Sequence, residues 1–253
     1  MSAIEKRDPW LTLSRFTAAR IALGRAGGSV RTQTLLDFRL AHARAKDAVE
    51  LSFDAQRVSA QLAATGIETL VLESQAADRR TFLVRPDLGR QLHEKSRALL
   101  SARRDAWGKR DLCIVVSDGL SALAAERQVA PLLRELVPLL AARGVSMYPV
   151  FVTPFARVKL ADEVGEALGA RQSLILLGER PGLSSPDSLG AYATFLPRAE
   201  CSDADRNCVS NIRAEGLPCA DAAQKLAELL LESSRRELSG VALKLSPPLS
   251  VSA

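Results

Sequence analysis

Two short apolar runs constrain this chain more than any other feature. Residues 112–116 read LCIVV and residues 173–177 read SLILL. Neither alternates apolar with polar, so each must bury both of its faces. That pattern marks a strand inside a parallel sheet covered by helices. The segments between and around them fit this picture. ALAAERQVAPLLRELVPLLAARG reads as a long helix, expected to kink or divide at Pro131 and Pro138. SMYPVFV is a third strand candidate and DEVGEALGA a short helix. AYATFL is β-like, and DAAQKLAELLLESSRREL closes the unit as a helix. Strands alternating with helices predict an α/β fold with a mostly parallel sheet and flanking helices.

The first hundred residues have a different rhythm and read as mainly helical. DPWLTLSRFTAARIALG has an Asp-Pro start, spaced apolar residues and a Gly stop. RAGGS breaks the chain, and RTQTLLDFRLAHARAKDAVELSF restarts it with Thr32 as the expected N-cap. DAQRVSAQLAATG is a short helix ended by Gly66. IETLVL and RTFLV read as short strands, after which Pro86 and Asp87 open a helix running through LGRQLHEKSRALLSARR. The expected division is a mainly helical region over 1–105 and a sheet domain over 106–253. LSPPLSVSA reads as a frayed tail.

In open α/β sheets, ligands bind beyond the carboxyl ends of the strands. Three stretches fall at such ends: SDGLS, TPFARVK and GERPGLSSPDS. SDGLS can turn the chain and cap the next helix, or it can aim backbone N–H groups at a polar ligand. The third stretch is long, stiffened by proline and polar, which favours a binding role over a solvated turn. DRNCVSNI, residues 205–212, is a polar run around one thiol, and its simplest form is a turn with a buried Cys.

Much else is excluded. Aromatics are only 4 % of the chain, too few for base-stacking platforms, and no nucleic-acid motif accompanies the net charge of +5. No run approaches 18 apolar residues, so no membrane span is expected, and MSAIEKRDPW carries no secretory signal. The four cysteines form no CxxC pair, and Cys113 lies inside an apolar run as a small core residue. A reducing cytoplasmic setting follows. His42 and His93 have no second ligand at metal spacing and read as helix-face residues. GRAGGS lacks both phosphate-loop spacings, and no GxSxG elbow is present. A self-contained acid–base enzyme, or a dehydrogenase acting alone, therefore has little support.

Seven stretches in order carry a family resemblance: RIALGRAGGSVRTQTLLDFRLAHARAKDAV, RPDLGR, VVSDGLS, RVKLADEVGEALGA, LLGERPGLSSPDSLG, DRNCVSNI and LSGVALK. Together, from about Asp8 to Lys244, the chain resembles the small subunit, or light chain, of ethanolamine ammonia-lyase. The resemblance implies a Rossmann-like domain with an N-terminal helical part. It implies an enzyme that uses adenosylcobalamin, whose cobalt–carbon bond breaks to start a radical rearrangement of ethanolamine to acetaldehyde and ammonia. It implies that a separate large subunit binds the substrate and carries most of the chemistry. The small subunit then covers one side of the cofactor at the interface and is inactive alone.

Three of the family's cofactor contacts fall on matching motif positions: Val158 in ARVK, Glu179 in GERPG and Cys208 in RNCVSN. No catalytic residue and no metal ligand is carried over. The DxHxxG pattern by which some cobalamin proteins give cobalt a histidine is missing, so the cofactor's own benzimidazole is the expected lower ligand. The N-terminal part and exposed apolar strips are expected to contact the large subunit. Some relatives carry a long N-terminal extension associated with entry into a bacterial microcompartment. None is seen here, and microcompartment residence stays open beside the cytoplasm. The alternative is a non-catalytic nucleotide- or cobalamin-binding interaction module.

Overall fold

The computed structural model describes residues 9–17, 19–26 and 28–243. The chain opens with a 3-10 segment, Pro9–Phe16, and a short hairpin of β1 (Arg25–Ala26) and β2 (Ser29–Val30). The helix expected from DPWLTLSRFTAARIALG is realised only as that 3-10 segment. Residues 12–17 are all exposed, and helices draw most of their stability from a packed face. Asp8, at its Asp-Pro start, and the LSPPLSVSA tail lie outside the described residues.

Helix α1 (Thr32–Glu50) follows, with Arg31 rather than Thr32 at the cap and no side-chain cap bond. Arg31 still has extended backbone angles, whereas Thr32 is already helical. Helix α2 (Ala55–Ala63) is capped by Asp54, and β3 (Thr69–Val71) follows. The expected strand RTFLV is instead helix α3 (Arg79–Val84). The Asp78 carboxylate accepts the Thr81 N–H at 2.7 Å and starts a helical turn, which overrides the β-propensity of Thr, Phe and Val. The helix expected from Pro86 onward is also corrected. A 3-10 turn at Leu88–Arg90 ends in extended backbone, and α4 (Glu94–Trp107) begins only after His93. His93 is that helix's N-cap, its ring accepting the Lys95 N–H at 3.3 Å, and not a helix-face residue.

The second part runs β4 (Leu112–Ser117), α5 (Ala122–Ala141), β5 (Val150–Val152), α6 (Leu160–Leu168), β6 (Gln172–Gly178), β7 (Leu189–Phe195), β8 (Arg206–Ile212) and α7 (Cys219–Arg236). Pro131 and Pro138 do not divide α5. Each costs roughly 3 kcal/mol inside a helix. The buried side chains of Val129, Leu132, Leu133, Leu136 and Leu140 contribute about 1.5–3 kcal/mol apiece and together outweigh that. DRNCVSNI forms strand β8 and not a turn, and Cys208 on it is exposed. Pairing of β8 with β7 satisfies the backbone groups of this polar segment.

The six-stranded sheet has the order β3-β5-β4-β6-β7-β8. Its first four strands are parallel, and β7 and β8 are added antiparallel. Alternation within each strand splits the core. Leu112, Ile114, Val116, Leu174 and Leu176 pack with α2, α5 and α7 on one face. Cys113, Val115, Phe151 and Ile175 pack with residues of α4 and α6 on the other. The chain therefore leaves β4 toward one face and β5 toward the other. Such divergence opens a crevice at the strands' carboxyl ends.

Candidate functional site

The loop after β4 anchors this crevice. Asp118 is buried, and its Oδ1 accepts the Phe155 N–H at 2.7 Å and the Ser117 hydroxyl at 3.0 Å. Its Oδ2 accepts Arg79 Nη1 at 2.8 Å. Burial pushes this carboxyl's pKa up, and the Arg79 guanidinium opposes the shift. Arg79 also donates to the carbonyls of Gly119 at 2.6 Å and Val49 at 3.0 Å, so it ties the end of α1 to the sheet edge. Ser121 caps α5 through the Ala124 N–H and donates to the Pro186 carbonyl at 2.8 Å. The side chains of SDGLS thus serve as turn and cap.

Above this anchor lies a cleft of about 340 Å³ at the ends of β4, β5 and β6. Its wall is apolar at Leu120, Ala156, Val158 and Leu177, and polar at Arg157, Glu179, Arg180 and Tyr192. Gly119 and Gly178 bring two backbones together there. A Cβ on Gly178 would sit on the carbonyl oxygens of Ser121 and Asp118, and one on Gly119 would meet the Gly178 carbonyl. The Leu120 N–H donates to that same carbonyl at 2.8 Å.

The structure brings the three residues expected from the sequence to this one edge. Val158 and Glu179 line the cleft directly. Glu179 follows β6 immediately, and its Oε2 accepts the Ser188 hydroxyl at 2.5 Å and the Asn211 N–H at 3.3 Å. Cys208 stands one strand further out, paired across the ladder with Tyr192, which does line the cleft. Although Cys208 is exposed as a residue, loss of water around its sulfur raises the thiol's pKa, and burial does the same to the Tyr192 hydroxyl, so both are neutral near pH 7. The thiol is therefore a packing and hydrogen-bonding group, not a thiolate nucleophile.

Sequence reasoning missed Arg157, Tyr192 and Ser188. Arg157 sits beside Val158 in a motif already noted, and its charge was the available signal. The roles of Tyr192 and Ser188 depend on the antiparallel β6–β7 pairing, which no local pattern encodes. A larger groove, about 680 Å³, lies between α1, α5 and the segments 183–187 and 213–215. It takes in the far part of the loop after β6 and holds none of the three expected residues.

The cleft is open and sets an apolar wall beside polar groups. The wall can meet an apolar part of a ligand, the glycine backbones allow close approach, and the Glu179 carboxylate can accept hydrogen bonds. Among the described residues, no cluster of His, Cys, Asp or Glu could hold a metal ion. Fold and cleft thus define an α/β, Rossmann-like protein with an open cleft at the carboxyl ends of its parallel strands.

Residues 7–244 match the family model described as Ethanolamine ammonia-lyase light chain (EutC). The Ethanolamine ammonia-lyase small subunit of Pseudomonas syringae pv. tomato is 52 % identical over 238 residues, covering 94 % of this chain and 83 % of that protein. The small subunit from Ralstonia nicotianae is 54 % identical over 239 residues, covering 94 % and 88 %. That from Azotobacter vinelandii is 53 % identical over 238 residues, with the same coverages. This chain belongs to the ethanolamine ammonia-lyase small-subunit family.

Proposed function

We propose that this chain binds adenosylcobalamin at an interface with a large catalytic subunit, and that the assembled lyase converts ethanolamine to acetaldehyde and ammonia. The observation that carries the reading is that Val158, Glu179 and Tyr192 line one open cleft, with Cys208 paired to Tyr192 on the next strand. Bound adenosylcobalamin supplies a cleavable cobalt–carbon bond, chemistry that no side chain can provide. The residues of this chain bind and orient. Val158 packs on an apolar part of the cofactor, Glu179 accepts amide hydrogen bonds, and Cys208 supports Tyr192 at the rim. Ser188 and the Asn211 N–H occupy one Glu179 oxygen and fix its carboxylate plane.

The partner surface follows from exposure. Among the described residues, ten of the large apolar side chains left exposed fall between Trp10 and Leu51, including Phe16, Leu36, Phe38 and Leu40. So many exposed apolar side chains in one stretch of chain favour a large, stable subunit contact. No helix among the described residues is long and apolar enough to cross a membrane. The test is co-expression with a candidate large subunit, followed by ethanolamine turnover with and without adenosylcobalamin. Activity requiring both chains and the cofactor is expected. Full activity of the large chain alone would overturn the reading.

A further inference from the structure

Among the described residues, Arg157 is a cleft residue whose charge is both held in place and unmatched. Its guanidinium lies 4.1 Å from the centroid of the Phe82 ring, and Nη2 donates to the Phe82 carbonyl at 3.2 Å. Its backbone N–H donates to Gly89 at 2.7 Å, and a Cβ on Gly89 would press on the Arg157 side chain. Among the described residues, neither Nε nor Nη1 has an acceptor, and Nε is buried. No carboxylate among the described residues pairs with it. Asp118, the nearest acidic influence, is already engaged by Arg79. Arg79 and Arg90 add further positive charge, and Arg180 stands on the same cleft wall.

Holding an arginine half-buried among other arginines is unfavourable unless an anion completes the site. With Nε buried and Nη2 on the Phe82 carbonyl, Nη1 is the donor left for a ligand, and a charge-assisted bond from it favours a phosphate oxygen over a neutral carbonyl. The apolar wall beside it, at Val158 and Ala156, suits a ligand that is anionic at one point only. We infer that Arg157 is the anion-binding residue of this cleft and takes the phosphodiester of the nucleotide loop of a bound corrinoid. The inference rests on the cobalamin reading above and assigns one part of that ligand to one side chain.

The test uses the complex co-expressed with its large subunit and two probes. Cyanocobalamin carries the phosphodiester, whereas dicyanocobinamide keeps the corrin and lacks it. Affinities are read from corrin absorbance after ultrafiltration, with no turnover involved. Arg157→Gln is expected to weaken cyanocobalamin by about 10- to 100-fold, the range for a charge-assisted contact. Cobinamide affinity should change by less than about 3-fold. Arg157→Lys should restore part of the cobalamin affinity while leaving cobinamide alone. Unchanged thermal melting of each variant complex guards against a folding effect, and Arg157→Lys carries the test if Arg157→Gln fails to assemble.

Equal weakening of both probes by either variant would overturn the inference while leaving the cobalamin reading intact. So would loss of subunit association without any corrinoid, which would assign the guanidinium to a carboxylate of the partner. If the wild-type complex binds neither probe, both proposals fall together.

Discussion

Replacing Asp118 by Asn tests whether the cleft is held open by one buried ion pair. Asp118 is 1 % exposed and Arg79 is 20 % exposed at the side chain, with 2.8 Å between Oδ2 and Nη1. At an effective dielectric of about 20 the gross attraction is about 6 kcal/mol, much of it offset by desolvation. Breaking such a pair from one side costs about 3–5 kcal/mol, because the remaining charge stays buried. Asn preserves an acceptor for the Phe155 N–H and the Ser117 hydroxyl, and Arg79 keeps the carbonyls of Gly119 and Val49. The expected cost is therefore at the lower end, about 3 kcal/mol.

Native-state hydrogen exchange on the assembled complex, read by mass spectrometry, measures this locally. Peptides spanning 116–122 and 153–158 should exchange more than about 100-fold faster in Asp118→Asn. Arg79→Met should then add little in the Asp118→Asn background, because the charge left unpaired is gone. Acceleration below about 3-fold would refute the argument. Equal effects of Arg79→Met with and without Asp118 would also refute it, since the two residues would then act independently.

Removing the Ser121 hydroxyl loses the cap of α5 and its link to the Pro186 carbonyl. Ser121→Ala should cost about 1–2 kcal/mol and lower the melting temperature by about 2–4 °C per kcal/mol. On the surface, Leu36→Glu with Leu40→Glu should weaken association with the large subunit by at least 10-fold in a sedimentation titration, without lowering the melting temperature; unaltered association would remove α1 from the interface. Acid stability gives a fourth outcome. The Thr81 N–H holds Asp78 below the usual carboxylate range, and the Ser202 N–H does the same for Asp205. Each contributes stability above its unfolded-state pKa of about 3.9 that is lost as pH falls through the lower folded value. Asp78→Asn with Asp205→Asn should therefore flatten the fall of melting temperature between about pH 5 and pH 2, and an unaltered slope would show that neither cap is linked to folding.

The sheet was legible where burial left no choice. LCIVV and SLILL must hide both faces, and they are β4 and β6 at its centre. Misreadings came where short-range chemistry competes with composition. RTFLV looks β-like, yet Asp78 caps it into a helix. Gln91 to His93 breaks a helix that the residue pattern continues, because the Leu92 N–H is taken by Glu163 at 2.7 Å, a residue 71 positions away. Two antiparallel strands on a parallel sheet were equally hidden, since β7 and β8 are identified only by the partners they find. For the site, Val158 and Glu179 were reachable through motif resemblance and strand-end geometry. Cys208 was named as a cofactor contact and pictured in a turn with a buried thiol, whereas β8 makes it an exposed strand residue paired with Tyr192 and outside the cleft lining. Arg157 escaped notice because a lone arginine in a basic chain looks ordinary until its missing partner is seen.

The meeting of Gly119 and Gly178 has a consequence for anyone wishing to retune this cleft. Its inner width is set by two main chains in contact, so no choice of side chain at those positions can widen it, and any Cβ there collides with carbonyl oxygens. Libraries that randomise residues 119 and 178 should return misfolded chains and little else. Variation in what the cleft accepts must enter at the rim, through residues 157, 158, 180 and 192, or through changes in loop length. The ruler is fixed in backbone, and only the markings along its edge are free to change.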